Sequence, residues 1–325
     1  MGMNVPMISE PSVSRRRGPA GDTVITTFNL WNLLEISAET TSLAAPAQAI
    51  HLTKLALALH LELALPHILI VQEVGSRRLL QALADRVNAA AEVDYAAFCL
   101  PTSDRRGIHP GFLWDRRRVA LREAYQLTGP AVAAAFGPDS PYPCREPLVG
   151  QFYLHGRELT ILANHFKSDY VGEVADVVER ERLRRQSHTQ RLAQARVVRD
   201  WATARLAADP HAWLLVAGDL NTTWCDPGTP CADCPLCLLE GQGEEPPLTN
   251  LLRRQGDFEN YTFVRESGPV TLDHMLVSPA LLARWVGADV LHFNAGLGDI
   301  WRDDPRTVLR ASDHDPLEAR FVFDG

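Results

Sequence analysis

Apolar runs of strand length alternate with helix-length patterns along the whole chain, and this alternation restricts the fold more than any other feature. "TVITTFNLW" (23–31) and "HILIVQEV" (67–74) read as strands. Between them, over 48–64, Leu52, Leu55, Leu59 and Leu63 recur on one helical face. A helix is expected from Ser76 to Ala90, with the Ser76 hydroxyl capping its first turn. Short strands follow over 95–100 and 111–115, and then "REPLVGQFYLH" and "ELTILANHF" flank Gly156-Arg157 as a hairpin. A charged helix over 173–207 leads to the buried strand "AWLLVAGDLN", a long loop over 222–247 and a short helix over 248–255. Strands near 261–265, 271–277, 288–293 and 317–323 close the chain, and Pro279 opens a helix between the second and third. No internal repeat or linker interrupts the series. Residues 23–325 are therefore expected to form one α/β domain with a mixed sheet or two sheets, after a disordered segment over 1–22.

Several of these strands stop on a carboxylate, amide or imidazole. These are Asn29 in "TTFNLWN", Glu73 in "ILIVQEV", His165 in "LTILANHFKS", Asp219 and Asn221 in "LLVAGDLN", Asp273 in "TLDHMLVS", and Asp313-His314 in "SDHDPL". One such ending is an ordinary turn. A whole series of them marks a site, because α/β folds bind ligands beyond their strand ends and buried acids need compensation. The residue types suit metal-assisted phosphodiester cleavage. Glu73 and Asp313 can offer carboxylates and Asn29 an amide oxygen to Mg²⁺, a hard ion that takes oxygen ligands. Asp219 can orient or deprotonate a water, and imidazole and Asn amide groups can donate to phosphate oxygens.

The hairpin supplies a second line of reasoning. With Gly156-Arg157 as its turn, His155 pairs with Glu158 and His165 faces Leu148. Glu146 then lies one diagonal step from His165, where a carboxylate would fix the tautomer and favour the charged imidazole. Asp273 is expected to orient His314 in the same way.

Composition bounds the function further. The chain has 325 residues, 46% hydrophobic and 22% charged, with a net charge of -8. That is an ordinary globular balance without the overall basic signature of a non-specific nucleic-acid binder, so positive charge at a phosphate site must be local or supplied by a metal. No apolar run is long enough to span a bilayer. Arg15-Arg16 lacks a following apolar region, and Pro6 stands where a myristoylation signal wants Ser or Thr. A cytoplasmic location is the default expectation, with secretion left open. Two segments carry local positive charge. The long helix is either a phosphate-tracking face or a solvated surface laced with Glu–Arg pairs. "SDRRGIHPGFLWDRRRV" (103–119) adds Trp114, either for stacking on bases or as a core residue.

The long loop carries Cys225, Cys231, Cys234 and Cys237 in the pattern C-x5-C-x2-C-x2-C. Four thiols this close match a tetrahedral Zn²⁺ site, with disulfides or plain loop thiols as the alternatives. Cys99 and Cys144 read as structural.

Together, "FNLWN", "VQEV", "REPLVGQF", "NHFKS", "GDLN", "LDHMLVS" and "SDHDPL" resemble the endonuclease/exonuclease/phosphatase superfamily, the DNase I-like proteins, and come in that family's order over residues 24 to 323. The resemblance is closest to the bacterial nuclease-like branch. It implies a four-layer α/β sandwich, two packed mixed β-sheets flanked by helices, with a site at one end of the sheets. It also implies Glu73 as the main Mg²⁺ ligand (Mn²⁺ or Ca²⁺ as substitutes), helped by Asn29 and Asp313. Asp219 and Asn221 become the water-orienting and phosphate-binding pair. His165 and His314 become acid/base or phosphate-contacting groups, with Glu146 and Asp273 as their partners. One position departs: some members carry an acid two residues after the first Asn, where this chain has Trp31. The expected activity is Mg²⁺-dependent phosphodiester hydrolysis, with DNA or RNA as the leading substrate. A lipid or inositol-phosphate hydrolase of the same fold, and a silent binding module using the cysteine loop, are the alternatives.

Overall fold

The structure is a computed structural model that describes residues 22–36, 41–130, 132–133, 145–225, 231, 233–241, 247–255 and 260–323. Of the expected disordered start over 1–22, residues 1–21 lie outside the described residues, as does Cys144, and Asp22 already belongs to a strand. In chain order the first half contains β1 (Asp22–Leu33), α1 (Thr41–Leu61), β2 (Ile68–Val74), α2 (Arg77–Ala90), β3 (Tyr95–Cys99), β4 (His109–Asp115), β5 (Ala120–Gln126), β6 (Leu148–Leu154) and β7 (Arg157–His165). The second half contains α3 (Val177–Ala208), β8 (Trp213–Asp219), α4 (Pro235–Glu240), β9 (Thr249–Asn250), α5 (Leu251–Gln255), β10 (Phe263–Arg265), β11 (Gly268–Val270), β12 (Asp273–Val277), α6 (Pro279–Leu282), β13 (Trp285–Val290) and β14 (Leu317–Val322).

Among the described residues the strands form two six-stranded mixed sheets, ordered β13-β14-β1-β2-β4-β3 and β5-β6-β7-β8-β12-β9, and a β10-β11 ribbon. Both sheets are buried on both faces, which is why their central strands are continuously apolar. Side chains alternate along each strand, so Ile68 and Ile70 face the other sheet while Leu69 and Val71 face α1 and α2. In the second sheet Leu215 and Ala217 face inward, and Leu214 and Val216 pack against Ala195, Val198 and Ala202 of α3. The layers are thus helix, sheet, sheet, helix, as expected. Leu52, Leu55, Leu59 and Leu63 are all buried. Ser76 caps α2 by accepting from the Leu79 N–H.

The hairpin differs from expectation. Leu154 pairs with Arg157 and Leu148 with Ala163, so the turn is His155-Gly156 and the register moves by two residues. Both turn residues take positive φ, +46° and +76°, the conformation that matches strand twist in a two-residue turn. Placing the glycine second leaves Arg157 in ordinary strand geometry. Because the shift is even, each residue keeps its face. Strand β5, "ALREAYQ", carries no clean alternation and was not expected; it is a largely polar sheet edge.

Candidate active site

Three neighbouring strands of the second sheet end together. Parallel pairing sets His165 of β7 beside Asp219 of β8, and antiparallel pairing sets Asp273 of β12 on its other side. The first sheet brings Asn29 and Glu73. Its register breaks between Asn29 and Leu33 on β1 and between Val71 and Val74 on β2, so both strands bulge where they meet the site. Trp31, Asn32, Glu73 and Asn221 hold positive φ of +51°, +54°, +62° and +49°. Such strain in non-glycine residues gathers where surrounding structure fixes a functional geometry. The loop before β14 adds Asp313 and His314. Its Ser312 hydroxyl donates to the Asn29 carbonyl and receives the His314 N–H.

Asp219 is the hub. One carboxylate oxygen accepts the Asn221 N–H at 2.9 Å, and the other accepts the Asn29 amide at 3.2 Å. His165 Nε2 lies 3.5 Å and His314 Nε2 3.9 Å from that second oxygen. Burial pushes the Asp219 carboxyl up to about 7; His314 opposes this, and the charges of Asp273 and Glu73 add to it.

The two imidazoles differ. His314 Nδ1 sits 2.7 Å from Asp273 Oδ2. Burial alone would lower its pKa, but Asp273, Asp219 and Asp313 together hold it well above the usual histidine range, so it is the cationic imidazole. His165 goes the other way. Burial, then the charges of Arg145, His314 and Arg106, hold it well below that range, so it is neutral. The expected Glu146 partner does not reach it. Glu146 accepts from the backbone N–H of Ser103 at 2.8 Å and from the Ser103 hydroxyl instead, and His165 Nδ1 is buried without a partner. The corrected register sets Glu146 opposite His165 in number, but regular pairing begins only at Leu148, and the chain before it turns to Ser103. Asp273, by contrast, does reach His314, at 2.7 Å.

The oxygen donors fit a hard divalent ion. Glu73 lies at the mouth of the site, with Oε1 3.8 Å from His165 and Oε2 accepting the Asn32 N–H at 2.8 Å. Asp313 is raised by burial and, against His314, by the negative charge of Glu73. Two carboxylates that repel across a partly buried space are what a bound cation would relieve. Asn29 directs its amide oxygen to the Trp31 N–H at 3.0 Å, leaving one lone pair for a ligand role. Asp219, Asp273 and His314 also bring ligand atoms within 4.8 Å of one another, but Asp273 and His314 already bond each other. At the departing position, the Trp31 ring lies under the guanidinium groups of Arg302 and Arg310, at 4.3 and 5.0 Å.

Glu73, His165, Asp219, Asn221, Asp313 and His314 open into a cavity of about 1250 Å³ that is also lined by Arg106, Arg145, Arg180, Arg184 and Arg265. Sequence reading passed over Arg145, which is buried, pairs with Asp104 at 2.9 Å and donates to the Phe166 carbonyl. The Asn221 amide donates to the same carbonyl, so both side chains brace the turn after His165. The available signal was Arg145 standing directly before Glu146. The long helix divides its arginines: Arg182 pairs with Glu179 at 2.7 Å on the surface, whereas Arg180 and Arg184 face the cavity. Trp114 is core, edge-on to Phe152. No helix among the described residues is long and apolar enough to cross a membrane.

The layer order and sheet topology are those of solved TDP2 and endonuclease/exonuclease/phosphatase family structures, whose fold this chain shares. Solved structures agree in overall shape. An endonuclease/exonuclease/phosphatase family protein from Bacteroides thetaiotaomicron is 15% identical with a TM-score of 0.58, over 94% of this chain and 98% of that one. A humanized D. rerio TDP2 is 16% identical with a TM-score of 0.57, over 93% and 99%. D. rerio TDP2 complexed with a single-strand DNA product is 17% identical with a TM-score of 0.57, over the same shares. No family profile matches the sequence, and no curated protein matches it. At these identities the likeness is one of fold.

Proposed function

We propose that this protein is a metal-dependent phosphodiester hydrolase that cleaves nucleic acid by in-line attack of water on phosphorus. The observation that carries the reading is Asp219: a buried carboxylate held by Asn29 and the Asn221 N–H, flanked by one neutral and one cationic imidazole. With its pKa raised to about 7, Asp219 is basic enough to take a proton from water yet largely ionised in mildly alkaline solution. His314, kept protonated by Asp273, offers a charged N–H to a phosphoryl oxygen. His165 can donate one neutral hydrogen bond from the opposite side without adding charge. These donors are fixed before substrate arrives, so they stabilise developing charge with little reorganisation. Glu73 and Asp313, with the Asn29 amide oxygen, would hold Mg²⁺, and when bound it neutralises charge on the phosphate and lowers the barrier to attack.

Two features favour a polymeric nucleic acid over a small phosphate ester. The cavity is broad, and five arginines line it, of which Arg180 and Arg184 come from the long helix and can meet flanking phosphates. A neighbour of the same fold, D. rerio TDP2, has been solved with a single-strand DNA product. The test is a substrate panel of single-stranded DNA, duplex DNA, RNA, sphingomyelin and inositol phosphates, each with Mg²⁺ and with chelator. Mg²⁺-dependent cleavage confined to nucleic acid is expected. Turnover of lipid or inositol phosphates alone would replace the nucleic-acid reading, and no turnover with any substrate would leave a binding module.

A further inference from the structure

We propose that Cys225, Cys231, Cys234 and Cys237 hold one structural zinc ion, and that this ion fastens the active-site end of β8 to α3. The sulfurs of Cys225, Cys234 and Cys237 lie within 4.8 Å of one another. The Cys231 thiol meets that of Cys225 and so stands beside these three as the fourth ligand. In a tetrahedral site with zinc–sulfur bonds of about 2.3 Å, sulfurs stand roughly 3.8 Å apart, so Cys225, Cys234 and Cys237 need only a small contraction to close on one ion, with Cys231 drawn in from its place beside Cys225. All four are free thiols rather than disulfide partners. The loop supplies a hydrogen bond of the kind that thiolate sites require. The Cys237 N–H donates to the Cys234 sulfur. A four-thiolate zinc site is anionic, and the Arg253 guanidinium stands against the Cys237 sulfur while pairing with Glu240 at 2.6 Å.

The position gives the site its role. Cys225 follows Asn221 by four residues. Between them His274 Nε2 bonds the Thr222 carbonyl at 2.9 Å, and Trp224 packs edge-on against the His274 ring. On the other side, Cys234 and Cys237 open α4, whose Leu236 and Leu239 are buried against Val198 of α3. One ion thus ties the segment that carries Asn221 to a helix in the outer layer. A cavity of about 270 Å³ is lined by Asn221, Thr222 and Arg191 together with Cys225, Cys231 and Cys234, so the knot adjoins the segment that carries Asn221.

The experiment is metal analysis of the full chain after exhaustive dialysis against a chelator, followed by cobalt replacement. About one zinc per chain is expected, with a thiolate-to-metal charge-transfer band and the intense visible bands of tetrahedral cobalt after exchange. Cys234→Ser should lose the metal, and amide exchange should then rise over 220–225 and 233–240 while β1 and β2 stay protected. If that variant does not fold, Cys231→Ser and titration of zinc release by a thiol-specific mercurial on the wild type read the same property. A metal-free chain whose four thiols react freely, or one carrying disulfides among them, overturns the proposal. None of these readouts depends on hydrolytic activity.

Discussion

Replacing Asp219 by Asn should make the metal-free protein more stable and inactive, and the gain should grow with pH. The carboxyl is buried, and its native pKa is about 7 against 3.8 for an ordinary Asp. A folded pKa above the unfolded one stabilises the native state at low pH, and this contribution disappears as pH rises through the folded value. At about 1.4 kcal/mol per pKa unit, the wild type should lose roughly 2–3 kcal/mol between pH 5 and pH 8 that Asp219→Asn does not lose. For a chain of this size that is roughly 3–4 °C in Tm. The absolute gain at pH 8 will be smaller than the titration suggests, because the amide introduced in place of the Asp219 carboxylate can meet the Asn29 amide donor to donor. The pH dependence of the difference is therefore the quantity to measure, by urea unfolding of both proteins in chelator at pH 5 and pH 8. A difference that stays constant over that range, or shrinks with pH, refutes the electrostatic description of Asp219.

Further perturbations probe separate parts of the molecule. Asp273→Asn removes the charge that keeps His314 protonated against burial. The His314 titration followed by NMR should move down, and the stability held at pH below about 6.5 should be lost at lower pH than in the wild type. The rate should fall about 100-fold. Lys54 is buried in α1 and its ammonium donates to the carbonyls of Trp301, Asp304, Thr307 and Leu309. Lys54→Met should cost about 3 kcal/mol and raise amide exchange over 301–309. Gly218→Ala should prevent folding, since φ is +137° and a Cβ there would lie 2.0 Å from the Asn164 carbonyl oxygen; a soluble variant with a normal unfolding midpoint would count against this packing.

The parts of the fold that were legible in the sequence are those that local physics determines. Continuous apolar strands, the leucine face of α1 and the Ser76 cap all follow from periodicity and capping chemistry, and none needs distant partners. Edges were harder: β5 is polar, and the two-residue strand β9 carries too little pattern to read. The hairpin shows the limit most clearly. Composition located the turn within one residue, but the choice between His155-Gly156 and Gly156-Arg157 depends on which residue tolerates positive φ. That single step misaligned Leu148 and His165, and it hid the fact that Glu146 leaves the sheet edge for Ser103. At the site, residues on strand ends were readable because a carboxylate or imidazole interrupts an apolar run. Arg145, Arg265 and Lys54 were not, because a basic residue in a loop or on a helix has the same appearance in sequence whether it faces water, a cavity or a cluster of carbonyls.

The claim that joins these observations is that Asp219 activates a water for metal-dependent attack on phosphorus. It is tested most directly by following cleavage of a single-stranded oligonucleotide in ¹⁸O-water, with wild type and Asp219→Asn side by side, in Mg²⁺ and in chelator. The expected result is cleavage only by wild type with Mg²⁺, one solvent oxygen in the phosphate product, and a rate at least about 10³-fold lower for the folded variant. Equal rates for the two proteins, or undiminished cleavage in chelator, would contradict the assignment.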